Sequence, residues 1–215
     1  MATPAEVDED RRSWQELLVT VLLVVAALAT SWSSYQATRW NGEQAAAAGK
    51  TNAVRILAAR ADGLARSQTQ VDVATFIAWA DADQRGETEI AEFYVSRFRP
   101  EFHTAYEAWL ATRPLSNADA PPTPFAMDEY QVSAKDEAER LDAAAEALAA
   151  LVRLNIQRSS NYVLTVVLYA VVLFFAGMST RLKNQRLRWV MTIAGCVVLL
   201  GALGWVATFP VSLAI

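Results

Sequence analysis

The segment LLVTVLLVVAALATSWSS, Leu17 to Ser34, carries no charged residue. At about 18 residues it is long enough to cross the hydrocarbon core of a bilayer as a helix. Trp14 and Trp32 bracket it, as interfacial aromatics do. Two further blocks share its character. One runs from Tyr162 to Thr180, and the other runs from Trp189 to Phe209 with Trp205 near its end and Pro210 just beyond. Backbone groups in lipid must be satisfied within the segment, so each block reads as a transmembrane helix. The three blocks explain how a chain of 215 residues can be 53% hydrophobic and 20% charged, with mean hydropathy +0.16. The composition excludes a purely soluble protein, a disordered chain, a disulfide scaffold and a β-rich architecture.

The linker between the second and third spans fixes the expected orientation. Residues 181–188 read RLKNQRLR, with Arg181, Lys183, Arg186 and Arg188 and no acid. Short loops dense in Lys and Arg stay in the cytoplasm. By parity the tail of residues 1–16 is cytoplasmic, in agreement with Arg11 and Arg12. Residues 17–34, 162–180 and 189–209 are then the spans, and 210–215 form a short external tail. Residues 35–161 lie outside, in the periplasm of a two-membrane bacterium. Ala27-Leu28-Ala29 resembles a signal-peptidase site, but the preceding region is acidic and helix-forming sequence continues past it, which favours an uncleaved span. The tail carries −3, the hairpin +4 and the external region −5, within a net charge of −4.

The external region reads as an antiparallel helical bundle, built partly from extensions of spans one and two, and the fold class is all-α. Val54, Leu57, Ala58, Ala61, Leu64 and Ala65 fall on one helical face. A long first helix is expected to end near Ser67. A second covers about Gln70 to Gln84, with Val73, Phe76, Ile77 and Ala80 inward. After a turn at Gly86, a third covers about Glu87 to Thr112. Its apolar stripe is Ile90, Phe93, Phe98, Phe102, Ala105 and Trp109, and Pro100 kinks or divides it. Residues 113–130, RPLSNADAPPTPFAMDEY, form a proline-rich loop pinned by Phe125, Met127 and Tyr130. Ser133, with Asp136 three residues on, is placed to cap a last long helix. That helix presents Leu141, Ala144, Ala145, Leu148, Leu151, Val152 and Ile156 on one face and continues unbroken into span two.

Two clusters are candidate sites. Trp32, Gln36, Trp40 and Gln44 are spaced by four, with Tyr35 and Arg39 beside them. They lie just outside the bilayer, where Asn155, Arg158 and Tyr162 of the last helix are also expected. Rings interleaved with amides and guanidinium groups suit a lipid headgroup or small ligand, or plain interfacial packing and anchoring. Arg97 and Arg99 lie near a proline-broken turn, where they suit an anion at the start of the helix that follows or a solvated kink, with His103 and Glu107 one turn apart. Asn155 lies a heptad step from Leu148 and Leu141, where a polar residue can fix register or oligomer state. The acidic set Asp128, Glu129, Asp136, Glu137, Glu139, Asp142 and Glu146 lacks the EF-hand spacing and reads as a solvated face.

Other chemistry has little to work with. The one cysteine, Cys196, lies inside an apolar block, and the one histidine, His103, cannot supply a di-iron or zinc pattern. No metal, cofactor or catalytic residue is expected. No basic patch suits nucleic acid. No charged residue sits within a span, which argues against a pump or secondary transporter.

Tyr35-Gln36-Ala37 leading to Trp40, Gly42 and Gln44 forms a YQAxxWxGxQ pattern. With Arg97 to Tyr130, it resembles a family of small, uncharacterised bacterial inner-membrane proteins, over most of the chain after residue 14. The resemblance implies a bacterial origin and a membrane location, and no activity, ligand or catalytic residue. A span, an external helical bundle and a second span are also similar to the sensor half of bacterial chemoreceptors, though here only an eight-residue hairpin follows span two. The expected function is that of a non-enzymatic envelope scaffold or interaction protein. Its expected partners are the lipid bilayer and a second copy of itself or another membrane protein. The alternative is a ligand-sensing or channel-like oligomeric membrane module.

Overall fold

A computed structural model of the chain describes residues 4–213, with side chains from Ser13 onward. Residues 1–3 of the expected tail, with Ala214 and Ile215, lie outside the described residues, as do the side chains of Arg11 and Arg12. The described residues form helices joined by turns and loops, with no strand among them. The helices are α1 (Pro4–Gln84), α2 (Thr88–Val95), α3 (Pro100–Ala111), α4 (Ser133–Arg181) and α5 (Gln185–Val206), with a 3-10 turn at Pro124–Ala126. Segments of α1, α4 and α5 are long and apolar enough to cross a membrane, as a multi-pass membrane protein requires.

Helix α1 is a single element of 81 residues, and the break expected between Ser67 and Gln70 is absent. Ser67, Gln68 and Thr69 include neither Gly nor Pro, and polar residues alone do not end a helix. The true stop is Gly86, whose φ of +73° is a left-handed conformation that glycine adopts without steric cost. Pro100 divides the next helix rather than kinking it. It sits at the first turn of α3, where its missing N–H is no loss. The linker between α4 and α5 is only Leu182–Asn184, and the Asn184 side chain accepts a bond from the Arg186 N–H to cap α5.

The chain forms two compact units, residues 1–49 with 148–215 and residues 50–147. In the first, three helices meet in one apolar cluster. Val19, Leu22 and Ala26 of α1 pack with Tyr169, Val172 and Ala176 of α4 and with Leu199 and Ala202 of α5. Buried hydroxyls within it bond to carbonyls of their own helices, Thr165 to Tyr162, Ser179 to Ala176 and Thr192 to Arg188. Polar contacts close both ends of the cluster. At one end Gln185 Nε2 donates to Gln15 Oε1. At the other, both ends of the buried Gln36 amide bond the backbone of Ser212. Gln15 and Gln36 are separated by about 32 Å of helix at 1.5 Å per residue, close to the thickness of the hydrocarbon core. The side chains that face away between them, such as Leu18, Val21, Val24 and Leu28, are exposed and apolar.

In the second unit α1 buries Thr51, Ala58, Ala65 and Asp72, and α4 buries Ala134, Ala138 and Ala145. The larger residues expected beside these alanines, Leu57 and Leu64, are exposed, as are Leu151 and Ile156 where α4 continues into the first unit. The fully buried residues of the seam are mostly small, which lets two helices approach closely. Val73, Ile77, Ile90 and Phe93 are likewise exposed, while Tyr106 joins the core in their place. The core of this unit is aromatic. Phe98, Phe102, Tyr106 and Trp109 pack with Phe76, Trp79, Phe125 and Tyr130. Mostly edge-to-face geometry, such as Phe76 on Phe102 and Trp109, suits the ring quadrupoles. Phe125 stacks on Phe102 at 5.1 Å, so the loop is pinned as its aromatic residues suggest.

At Gly195, α5 lies close against its neighbours. A Cβ there meets Leu22 Cδ2 at 3.0 Å, Phe175 Cβ at 3.6 Å and the Val172 carbonyl at 3.8 Å. Gly195→Ala is expected to be tolerated, because the end of Leu22 can turn aside. Gly195→Leu forces α5 off its neighbours and is expected to cost about 1–3 kcal/mol. A lower midpoint of thermal aggregation in detergent, followed by size exclusion, checks this.

Candidate functional site

The juxtamembrane stripe divides by role. Gln36 is committed to the chain itself. Its Oε1 accepts from the Ser212 N–H at 3.0 Å, and its Nε2 donates to the Ser212 carbonyl at 3.4 Å. Tyr162 joins it, donating to the Pro210 carbonyl at 3.1 Å and meeting Phe209 edge-on. Trp32 and Tyr35 are exposed and lie 6.1 Å apart. Gln44 is half-buried. Trp40, Arg158 and Asn155 come together. The Arg158 guanidinium lies over the Trp40 ring at 4.5 Å, and its Nη1 donates to Asn155 Oδ1 at 3.4 Å. Ser159 bonds the Ala37 carbonyl at 3.1 Å and holds α4 against α1 at this level. Arg39 lies beside Trp40 on α1, half-buried, with no carboxylate partner among the described residues.

The arginines of the proline turn have different tasks. Arg97 lies over the Phe93 ring at 5.1 Å. Arg99 binds carboxylates of its own chain. Its Nε donates to Asp72 Oδ1 at 3.0 Å, its Nη2 to Asp72 Oδ2 at 3.1 Å, and its Nη1 to Glu101 Oε2 at 2.5 Å. Asp72 is 1% exposed and also accepts from the Tyr130 hydroxyl at 3.0 Å. Burial disfavours the charged guanidinium of Arg99, but the bonds and field of Asp72 and Glu101 outweigh it and hold the pKa above the ordinary arginine value. His103 and Glu107 face each other at 3.6 Å on the surface of α3.

Ser133 does not form the expected capping box. Its hydroxyl donates to Glu101 Oε1 at 2.5 Å, and its N–H donates to the same oxygen at 3.2 Å. Glu101 therefore caps α4 from outside, satisfying an N–H that the helix cannot. The Ser133 hydroxyl bond is the main reason why the Glu101 pKa lies below the ordinary glutamate value, with the Arg99 charge adding to it.

A feature with no local sequence signal is an open cleft of about 990 Å³ in the second unit. Phe76, Trp79, Tyr106 and Trp109 form its aromatic wall, with Asp83, Glu92 and Arg113 among its polar groups. Trp109 Nε1 donates to the Pro121 carbonyl at 2.8 Å and folds the loop along one side. Burial, reinforced by the Asp83 charge, pushes the Tyr106 phenol up to about 12, so its hydroxyl stays a neutral donor. Arg113 ends α3 with φ +54°, a left-handed conformation costly for a residue with a Cβ. Leu115, two residues on, stands on the rim 95% exposed. His103 and Glu107 are not part of this lining. Among the described residues no three His, Cys, Asp or Glu side chains are grouped to hold a metal ion.

No family model, curated protein or solved structure matches the chain.

Two outcomes follow from the carboxylate network. Asp72→Ala leaves Arg99 and Tyr130 without their acceptor and is expected to destabilise the second unit by about 3–5 kcal/mol, measured as faster proteolysis within residues 113–130. The Glu101 pKa is lowered on folding, so its contribution is complete above about pH 4.3 and is lost as pH falls through the lower folded value. The thermal midpoint is therefore expected to drop below pH 4, and Glu101→Gln is expected to flatten that drop.

Proposed function

We propose that the chain is a non-enzymatic scaffold of the bacterial inner membrane, in keeping with the small inner-membrane proteins it resembles, and that it self-associates through its second unit. The basic hairpin lies in the cytoplasm and residues 35–161 lie outside. The observation that carries the reading is Leu115, almost wholly exposed on the rim of an aromatic cleft. Together with the cleft walls of Phe76, Trp79, Tyr106 and Trp109, Leu115 makes a contiguous apolar patch rimmed by polar groups, the kind of surface that marks an interaction site. In a two-fold pair, the same patch serves both copies. Leu115 of each copy then enters the cleft of the other, against Trp79, Tyr106 and Trp109. Arg113, held in its costly conformation at the base of the loop, sets the angle at which Leu115 projects. The surface position of His103 and Glu107, away from the cleft, supports a binding role over a catalytic one.

The cleft also favours a second reading, a ligand-sensing module, because Asp83, Glu92, Arg113 and the neutral Tyr106 hydroxyl would give a small amphiphilic molecule polar partners.

The single native cysteine makes the test simple. In a Cys196→Ser background, two differently tagged full-length copies are co-expressed, one with Leu115→Cys and the other with Ala80→Cys, since Ala80 lines the cleft. Self-association predicts a disulfide-linked species carrying both tags in native membranes. Replacing Leu115→Cys with Leu64→Cys, exposed on α1 away from the cleft, is expected to abolish it. Only monomers, or equal linkage from Leu64→Cys, overturn self-association and favour the sensing module.

A further inference from the structure

We infer that Arg39, Trp40 and Arg158 form a phosphate-binding site at the membrane surface, and that its natural occupant is the phosphodiester of an anionic phospholipid. The inference rests on the membrane reading alone and is independent of self-association. The polar closure at Gln36, Tyr162 and Ser212 marks the level at which all three apolar segments end. Arg39 stands one turn beyond Gln36 on α1, and Arg158 one turn before Tyr162 on α4. About 4–6 Å of helix rise from that level places both guanidinium groups in the headgroup layer.

The donors there are unused. Trp40 is 8% exposed and its Nε1–H is buried without an acceptor, as is the Nε–H of Arg39. A buried donor without a partner costs free energy unless something accepts from it. Neither arginine is paired with a carboxylate among the described residues. Glu43, one turn above Arg39, is exposed and makes no ion pair with it. Arg158 is instead held flat against the Trp40 ring and tied to Asn155, which leaves most of its five N–H donors free. One guanidinium held on the indole face, a second arginine next to that indole in sequence with its Nε–H unpartnered, and the indole N–H itself supply donors for the oxygens of a phosphate, which Arg recognises with two parallel bonds. A soluble phosphate offers the same chemistry, but only the lipid is delivered at this height on every copy.

The test is retention of lipid by the full-length chain. Protein is reconstituted in nanodiscs of phosphatidylglycerol and phosphatidylcholine, released into mild detergent, and its bound lipids are weighed by native mass spectrometry. The wild type is expected to retain phosphatidylglycerol in preference to phosphatidylcholine. Arg39→Gln with Arg158→Gln is expected to lower that retention about tenfold, on the scale of losing a charge-assisted bond. Trp40→Phe keeps the ring under Arg158 but removes the N–H, and is expected to lower it severalfold. A parallel arm offers inorganic phosphate to lipid-free protein. Phosphate adducts that respond to the same substitutions while lipid retention does not would assign the site to a soluble ion and overturn the lipid. Retention unchanged in both variants, with correct folding shown by an unchanged thermal midpoint, overturns the site itself. The tagged cross-linking pair, repeated in the Arg39→Gln and Arg158→Gln background, is expected to be unaffected.

Discussion

One narrow stripe on α1 organises both units. Val19, Ala26, Ser33 and Trp40 follow one another at steps of seven, and Thr51, Ala58, Ala65 and Asp72 do the same, and all eight are buried. Seven-residue steps keep one line of side chains facing a neighbouring helix. The two series are joined by a step of eleven between Trp40 and Thr51, the spacing that relaxes a coil wound on sevens. The boundary between the units falls within that step. A stripe this narrow buries little apolar area per turn, so it depends on small residues and close approach. Polar residues on the stripe or beside it then do what alanine cannot. Gln36 selects the backbone of Ser212, and Asp72 selects Arg99 and Tyr130. Each is fully desolvated, so a wrong partner leaves an unsatisfied group behind.

Arginine serves four separate ends in this chain, and its fixed, planar charge explains the first two. Arg99 spreads its fork between two carboxylates. Arg97 and Arg158 lay their planes on aromatic faces. Arg113 ends a helix in a conformation usually given to glycine. Arg188 is largely buried near Glu16 at the opposite end of the membrane cluster. Lysine, a strongly hydrated point charge, is suited to neither of the first two.

The parts of the fold legible in the sequence are those set by short-range chemistry. Three uncharged blocks, a glycine after Gln84, a proline before Glu101 and the aromatics of the proline-rich loop each act through their own backbone or their own transfer energy. What escaped is set by distant partners. Asp72 looks like any of 23 acids until Arg99 folds against it, 27 residues on. Gln36 reads as one amide among several on a face, and its partner lies 176 residues away. The broad 3.6-residue template also admits Leu57 and Leu64 beside Ala58 and Ala65, whereas the packed seam buries the alanines and leaves those leucines exposed. The cleft has no local signature at all, because it exists only where α1, α2, α3 and the loop converge.

The external cap on α4 has a consequence for the order in which the molecule is made. Glu101 leaves the ribosome 32 residues ahead of Ser133, and Asp72, Arg99 and Tyr130 also precede it. Every group that starts α4 is therefore waiting when the first turn of that helix emerges. The last residue of the second unit, Ala147, in turn precedes Tyr162, where the next apolar segment begins. Biosynthesis thus presents a complete set of contacts for residues 50–147 before a second hydrophobic segment competes for them, and domains tend to fold as units in that N-to-C order.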